Sequence, residues 1–294
     1  MFNLINVSKY HEQGYKGQGI NFLNGESNSD HNRDVLKCFN KIALESITFN
    51  GSIGCRVKNG VVSDVKIMID NKTTYDLIEF IKQNNIKIMS ASLSTETNNE
   101  PFNIWLRENV IDKLGVIVIS PAGNHYGHIC GIYKYCGIVV GACGMKEDGT
   151  IYRHAYSGQG ELLNFITFIP YDYLCGTSFA APSLAGQIAL LLSKYGDMNQ
   201  YQVFNLLRDN CMDIGDNGRD NSFGYGLPIL PLKEVVKMNF KDTQGHWAEK
   251  DINKAVTNGI VNGYADGTFR PDAPITRAEA TVLINRTLEI MKNR

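Results

Sequence analysis

Apolar residues in this chain fall into short runs separated by stretches of helical spacing. Val65–Ile69, Ile86–Leu93, Gly115–Ser120, Gly137–Ala142 and Phe165–Ile169 are each nearly continuous in apolar or small residues, and read as buried strands. Residues 20–25 follow Gly17-Gln18-Gly19 and read as a further short strand, ended by Glu26. Val35, Leu36, Phe39, Ile42 and Ala43 recur at helical spacing, which puts His31 at the start of an amphipathic helix. Thr74–Asn84 reads as a helix with Leu77, Ile78 and Ile81 inward, and Phe102–Lys113 as another. Strands alternating with helices predict an α/β fold: a parallel sheet covered on both faces, three layers deep.

The longest apolar run is Phe179 to Leu192, where almost every residue is apolar or small. Such a run reads as a helix buried on all sides. Pro182 fits its first turn, where a missing N–H is not needed. Ser178, in Gly176-Thr177-Ser178-Phe179-Ala180-Ala181-Pro182, then stands at the helix N-terminus. Free N–H groups and the dipole favour developing negative charge there, so the hydroxyl is well seated for a nucleophile. The plainer reading of Ser178 is an N-cap serine.

In parallel sheets, sites form at the carboxyl ends of the strands. Glu26, Ser92 and Asn124 lie at or just after strand ends, and His31 and Ser178 at helix starts on the same rim. Together they supply a nucleophile, a base, a carboxylate to orient the base and an amide donor for an oxyanion. Each also has a plainer reading. Glu26 could be a strand-end carboxylate, with Asp30 orienting the base instead; Asn124 could simply make a turn after Gly123. His125 and His128 share a loop with Gly127 and read as rim residues rather than metal ligands.

Residues 11–238 resemble the catalytic domain of the subtilisin-like serine proteases, the peptidase S8 family. The likeness rests on Gly176 to Pro182 for the nucleophile, Ala122-Gly123-Asn124 for the oxyanion hole and Gly224-Tyr225-Gly226 for a closing turn. His31 and Val35 match the family's His-x-x-x-Val, and Glu26 stands where the family has Asp. Ser92-Leu93 matches the strand that pairs with the substrate backbone, with Ser94 replacing the usual Gly. The resemblance implies Glu26, His31, Ser178 and Asn124 as catalytic residues. It implies Ser92, Leu93, Ser94, Ala122 and Gly123 as substrate-binding, a polypeptide substrate, and no metal or other cofactor. The segment between Glu26 and His31 is much shorter than the family's, and Asn32 follows the histidine where Gly is usual. The alternative is an impaired pseudoprotease acting as a cell-wall or virion-associated binding protein.

Composition shifts near Met238, which divides the chain into 1–238 and 239–294. The tail reads helix, loop, helix, with Thr276 and Glu279 at the spacing of a capping box. It resembles a single S-layer homology module, through Phe240-Lys-Asp242, His246-Trp247-Ala248, Gly263-Tyr264 and Ile275-Thr276-Arg277. That likeness implies binding to a Gram-positive secondary cell-wall polymer, or assembly with further copies of the module. Asp242, Trp247, Gly263 and Arg277 are the implied ligand contacts.

With 29 basic and 30 acidic residues and a net charge of -1, the chain has no basic stripe for nucleic acid. It has no apolar run long enough for a membrane span. The seven cysteines read as mostly reduced, buried small apolar residues. The acidic loop Asp213–Asp220 lacks EF-hand spacing and reads as a solvated turn. Met1 to Tyr10 shows no secretory pattern, whereas the tail implies the cell wall. Non-classical export or release on lysis, as for a phage-borne protein, would join the two; otherwise the expectation is cytoplasmic.

Overall fold

The computed structural model describes the chain except residues 1, 26–28, 59–60, 70–72, 93–99, 126, 233–239, 258–259, 265–266 and 293–294. Side chains at 29–30, 32, 50–51, 54–58, 61, 63–64, 254, 257 and 289–292 also lie outside the description. Glu26, Leu93 and Ser94 are therefore outside it, as is the side chain of Asp30.

The strands are β1 (Asn21–Asn24), β2 (Ile47–Lys58), β3 (Val61–Ile69), β4 (Thr73–Asp76), β5 (Ile86–Ser90), β6 (Ile117–Pro121), β7 (Ile138–Met145), β8 (Ile151–Arg153) and β9 (Phe165–Phe168). They form one sheet in the order β4-β3-β2-β1-β5-β6-β7-β8, with β9 also paired to β7. The centre is parallel, from β2 through β1, β5, β6 and β7 to β9. Antiparallel pairs flank it, at β2–β3, β3–β4 and β7–β8. A small ladder joins β10 (Cys211–Met212) to β11 (Leu227–Pro228).

Alternation along the central strands sends neighbouring side chains into two separate cores. Phe22, Ile88, Ile117 and Ile119 face one, with α2 (Ser29–Ile42) and α6 (Thr177–Tyr195). Leu23, Met89, Val116 and Val118 face the other, with α3 (Leu77–Gln83) and α4 (Glu100–Leu106). A π turn (Arg107–Ile111) and α5 (Asp112–Leu114) continue α4, and α7 (Gln200–Asp209) follows α6. The three layers expected of the sequence are thus present.

Three local expectations need correction. Thr73–Asp76 is a strand, because β-branched and aromatic residues there suit an edge, and Asp76 caps α3 by accepting the Ile78 and Glu79 N–H groups at 3.0 and 3.2 Å. Val65–Ile69 falls within β3 as expected, but β2 has no counterpart in the hydrophobic reading and pairs with β3 antiparallel, although Asn59-Gly60 between two β-rich runs is a hairpin signal. Among the described cysteines, Cys38, Cys130, Cys136 and Cys143 are buried as expected, but Cys175 is exposed and Cys211 half-buried.

The N-terminal segment, with α1 (Val7–Glu12), clasps the chain where it leaves the sheet domain. Asn6 Nδ2 donates to the Leu230 carbonyl at 2.9 Å, and Leu230 N–H to the Ile5 carbonyl at 3.3 Å. Tyr10 and Tyr195 hydroxyls both donate to the Pro231 carbonyl, at 2.6 and 2.7 Å. Lys194 Nζ donates to the Leu232 carbonyl at 3.0 Å and lies over the rings of Tyr10, Tyr15 and Tyr195.

The tail contains α8 (Glu249–Thr257) and α9 (Arg277–Lys292). The capping box forms as the sequence predicts: Glu279 N–H donates to Thr276 Oγ1 at 3.2 Å, and Thr276 N–H to Glu279 Oε2 at 2.8 Å. That pairing also lowers the Glu279 pKa, because the Thr276 N–H favours the carboxylate. No helix among the described residues is long and apolar enough to cross a membrane.

Candidate active site

Helix α6 is buried around its whole circumference from Phe179 to Leu192, with Ser183 and Gln187 as its polar side chains there. It begins at Thr177, with Gly176 as N-cap at φ 130°. Ser178 is therefore the second helical residue, not the cap. It is half-buried, and its N–H belongs to the turn whose donors have no intrahelical acceptor. Pro182 lies one turn deeper than the sequence reading placed it, inside the helix.

Asn124 meets this helix start across the sheet edge. Thr177 N–H donates to Asn124 Oδ1 at 2.9 Å, and Thr177 Oγ1 donates to the same oxygen at 3.1 Å. The Thr177 hydroxyl in turn accepts the Gly123 N–H at 2.9 Å. A backbone N–H can bond only an acceptor, so the Asn124 amide is fixed with its oxygen toward Thr177. Its Nδ2 is turned to Gly176, where a Cβ would approach it to 3.3 Å. Glycine is also required at 123, where φ is 93° and a Cβ would fall 2.0 Å from Cys130 Sγ. Asn124 itself is exposed. The result is an amide of fixed orientation on an exposed residue, held at the head of the helix that carries Ser178.

Ser92, just past β5, is buried and forms a reciprocal pair with Ser178. Its Oγ donates to the Ser178 carbonyl at 2.7 Å, while Ser178 Oγ donates to the Ser92 carbonyl at 3.3 Å. His31, on the first turn of α2, lies with its ring 5.0 Å from the ring of Phe179, the neighbour of Ser178. Burial pushes the His31 pKa below its ordinary value of 6.5, and Asp34 pulls it partly back.

The backbone at Ala122 and Gly123 is already committed within the protein. Ala122 N–H donates to Val140 and its carbonyl accepts from Cys130; the Gly123 carbonyl accepts from Gly158. These two residues wall the site with their polar groups turned inward. His125 and His128 are exposed on the next loop, ring centroids 5.8 Å apart. In the acidic loop, Asp220 accepts N–H groups from Asp216, Ser222 and Phe223, and Asp213 that of Gly218. These carboxylates build the turn. Thr177 is the residue that sequence reasoning passed over, although it sits inside the nucleophile heptapeptide.

In the tail, Asp242 accepts the Phe269 and Arg270 N–H groups at 2.9 and 2.7 Å, which pins the backbone at those two residues. A Cβ at Gly263 would strike the Phe240 ring at 1.8 Å, so close packing accounts for that glycine. Trp247 is 87% exposed, and Arg277 is also exposed. Arg270 stacks on Tyr264 with its guanidinium 4.1 Å from the ring centroid.

A mostly parallel sheet covered on both faces, with a serine near the head of a buried helix at its edge, defines a three-layer α/β protein. The chain belongs to the subtilase family: the family's model matches residues 49–226, more than half of the chain, and includes Ser92, Asn124 and Ser178. The S-layer homology domain model matches residues 239–281. Fervidolysin from Fervidobacterium pennivorans is 36% identical over 123 residues, 40% of this chain and 18% of that protein. A cellulosome-anchoring protein of Acetivibrio thermocellus is 56% identical over 54 residues, 18% of this chain and 12% of that protein. The chain thus spans less than a fifth of the length of either relative. The crystal structure of a lanthipeptide protease superposes with a TM-score of 0.57 at 17% identity, over 77% of this chain and 90% of that one, a likeness of fold.

Proposed function

We propose that the chain is a serine endopeptidase that works through an acyl-enzyme, tethered at its C-terminus to a cell-wall polymer. The observation that carries this is the Asn124 amide, fixed by Thr177 at the head of the helix that carries Ser178. In this reading Ser178 Oγ leaves its long bond to Ser92 and attacks the peptide carbonyl. His31 takes the proton and returns it to the leaving amine, and Glu26 orients the imidazole. Asn124 Nδ2 and the Ser178 N–H hold the oxyanion, with the geometry set in advance by Thr177. Water then repeats the sequence on the acyl-enzyme. A lowered His31 pKa suits a base, since it keeps the imidazole neutral over a wider pH range.

For the tail, exposed Trp247 and Arg277 are the better ligand contacts, an Arg fork suiting an acidic sugar substituent. Asp242 and Gly263 act by shaping the module. That places the protein at the cell surface, with self-assembly through the tail as a second role of the module.

A fluorophosphonate probe tests the catalytic reading. It should label the wild-type chain on Ser178, and Ser178→Ala should lose labelling and at least about 10⁴-fold of peptidase turnover while melting as before. An unlabelled wild-type chain that still binds cell wall would identify a binding protein on a protease fold.

A further inference from the structure

Pro182 and Ser92 bear on the same atom, the carbonyl oxygen of Ser178. In an α-helix the N–H of residue 182 would close on the carbonyl of residue 178. Proline has no N–H, and its ring crowds the carbonyl four residues back. The Ser178 carbonyl therefore loses its helical partner. The donor it receives instead comes from outside the helix: Ser92 Oγ, at 2.7 Å. Ser92 is 7% exposed, so this hydroxyl is held in place rather than free to turn to water. One residue on, Ser183 Oγ donates to the Phe179 carbonyl at 2.7 Å, so hydroxyls serve the consecutive carbonyls of Ser178 and Phe179.

We propose that Ser92 is a positioning residue for the nucleophile, acting through the carbonyl that Pro182 strips of its helical bond. The inference rests on the peptidase reading and deepens it. A nucleophile held only by its helix would move with that helix. Here the peptide plane of Ser178 is pinned instead to Ser92, two residues past β5, so the attacking oxygen keeps its register with the sheet edge. The assignment differs from a substrate contact in what it moves. A positioning residue changes the rate of attack, whereas a substrate contact changes the concentration needed to saturate.

The experiment is a double-mutant cycle between positions 92 and 182, read by saturation labelling with a fluorophosphonate. Ser92→Ala should lower the maximal labelling rate about tenfold, with half-saturation within about twofold. Pro182→Ala restores an N–H that can reach the Ser178 carbonyl. In that background Ser92→Ala should cost less than about threefold. Ser92→Thr, which keeps the hydroxyl, should retain most of the rate. An equal penalty in both backgrounds, or an effect confined to half-saturation, would overturn the proposal. Should Ser92→Ala fold poorly, the melting temperatures of the same four proteins decide: coupling between 92 and 182 supports the inference and strict additivity rejects it. If the wild-type chain takes no label, the peptidase reading fails, and the melting cycle still tests the carbonyl bond by itself.

Discussion

Helices α6 and α9 are of similar length, 19 and 16 residues, and stand in opposite relation to their surroundings. In α6 the side chains from Phe179 to Leu192 are enclosed by the sheet and by α2. In α9, Val282, Ile284 and Leu288 are 46%, 59% and 49% exposed. The difference follows from scale. A large sheet can surround a helix, whereas some fifty residues bury little core of their own. A helix apolar on nearly all sides is therefore stable where partners surround it. The same chemistry in the tail leaves apolar surface that self-assembly or docking would cover.

The contrast breaks most sharply under a buried charge. Leu190→Asp places a carboxylate at a position with 0% exposure, and should destabilise the sheet domain by at least about 3 kcal/mol. Loss of the cooperative thermal transition would show it; an unchanged melting temperature would mean that α6 is less enclosed than described.

A middle-sized effect distinguishes the enclosed region through titration. His31 is half-buried and its pKa is lowered, chiefly by burial. A general base must be neutral, so labelling by the fluorophosphonate rises with pH through that pKa. Its midpoint should fall below the ordinary 6.5, and activity should persist into mildly acid solution. A midpoint above 6.5 would show that a neighbouring negative charge outweighs burial.

The smallest effect belongs to the tail. Ile284→Asp changes a residue that already meets water, and should alter stability by no more than about 0.5 kcal/mol. Sedimentation adds a second reading: if α9 mediates self-association, the same substitution reduces it.

Much of this arrangement was legible beforehand, for physical reasons. Central strands buried on both faces leave continuous apolar runs, so the sheet could be read directly. The α6 run and its leading Gly-Thr-Ser are local, and so was the Thr276–Glu279 capping box. What escaped was either patterned differently or distant. In β2, Ile47, Phe49, Ile53, Cys55 and Val57 alternate with polar or small residues, the period of a strand with one polar face, which a search for continuous apolar runs passes over. The bond between Thr177 and Asn124 joins positions 53 residues apart, and no spacing rule connects a hydroxyl to a remote amide. A mid-helix proline normally costs about 3 kcal/mol, which points Pro182 to the first turn, yet it stands inside the helix. The hydroxyl that answers its missing bond comes from Ser92, 86 residues earlier.

The clasp on residues 230–232 has a mechanical meaning once the tail is anchored. Any pull along the tether enters the sheet domain at Leu232. There it meets the Lys194 ammonium, two tyrosine hydroxyls and Asn6 almost at once. Bonds stretched together share a force, while bonds opened singly yield one after another. The clasp works as the strain relief on a cable does, passing tension into α1 and the far end of α6. The start of α6, five helical turns from that grip, is left to hold Ser178 still.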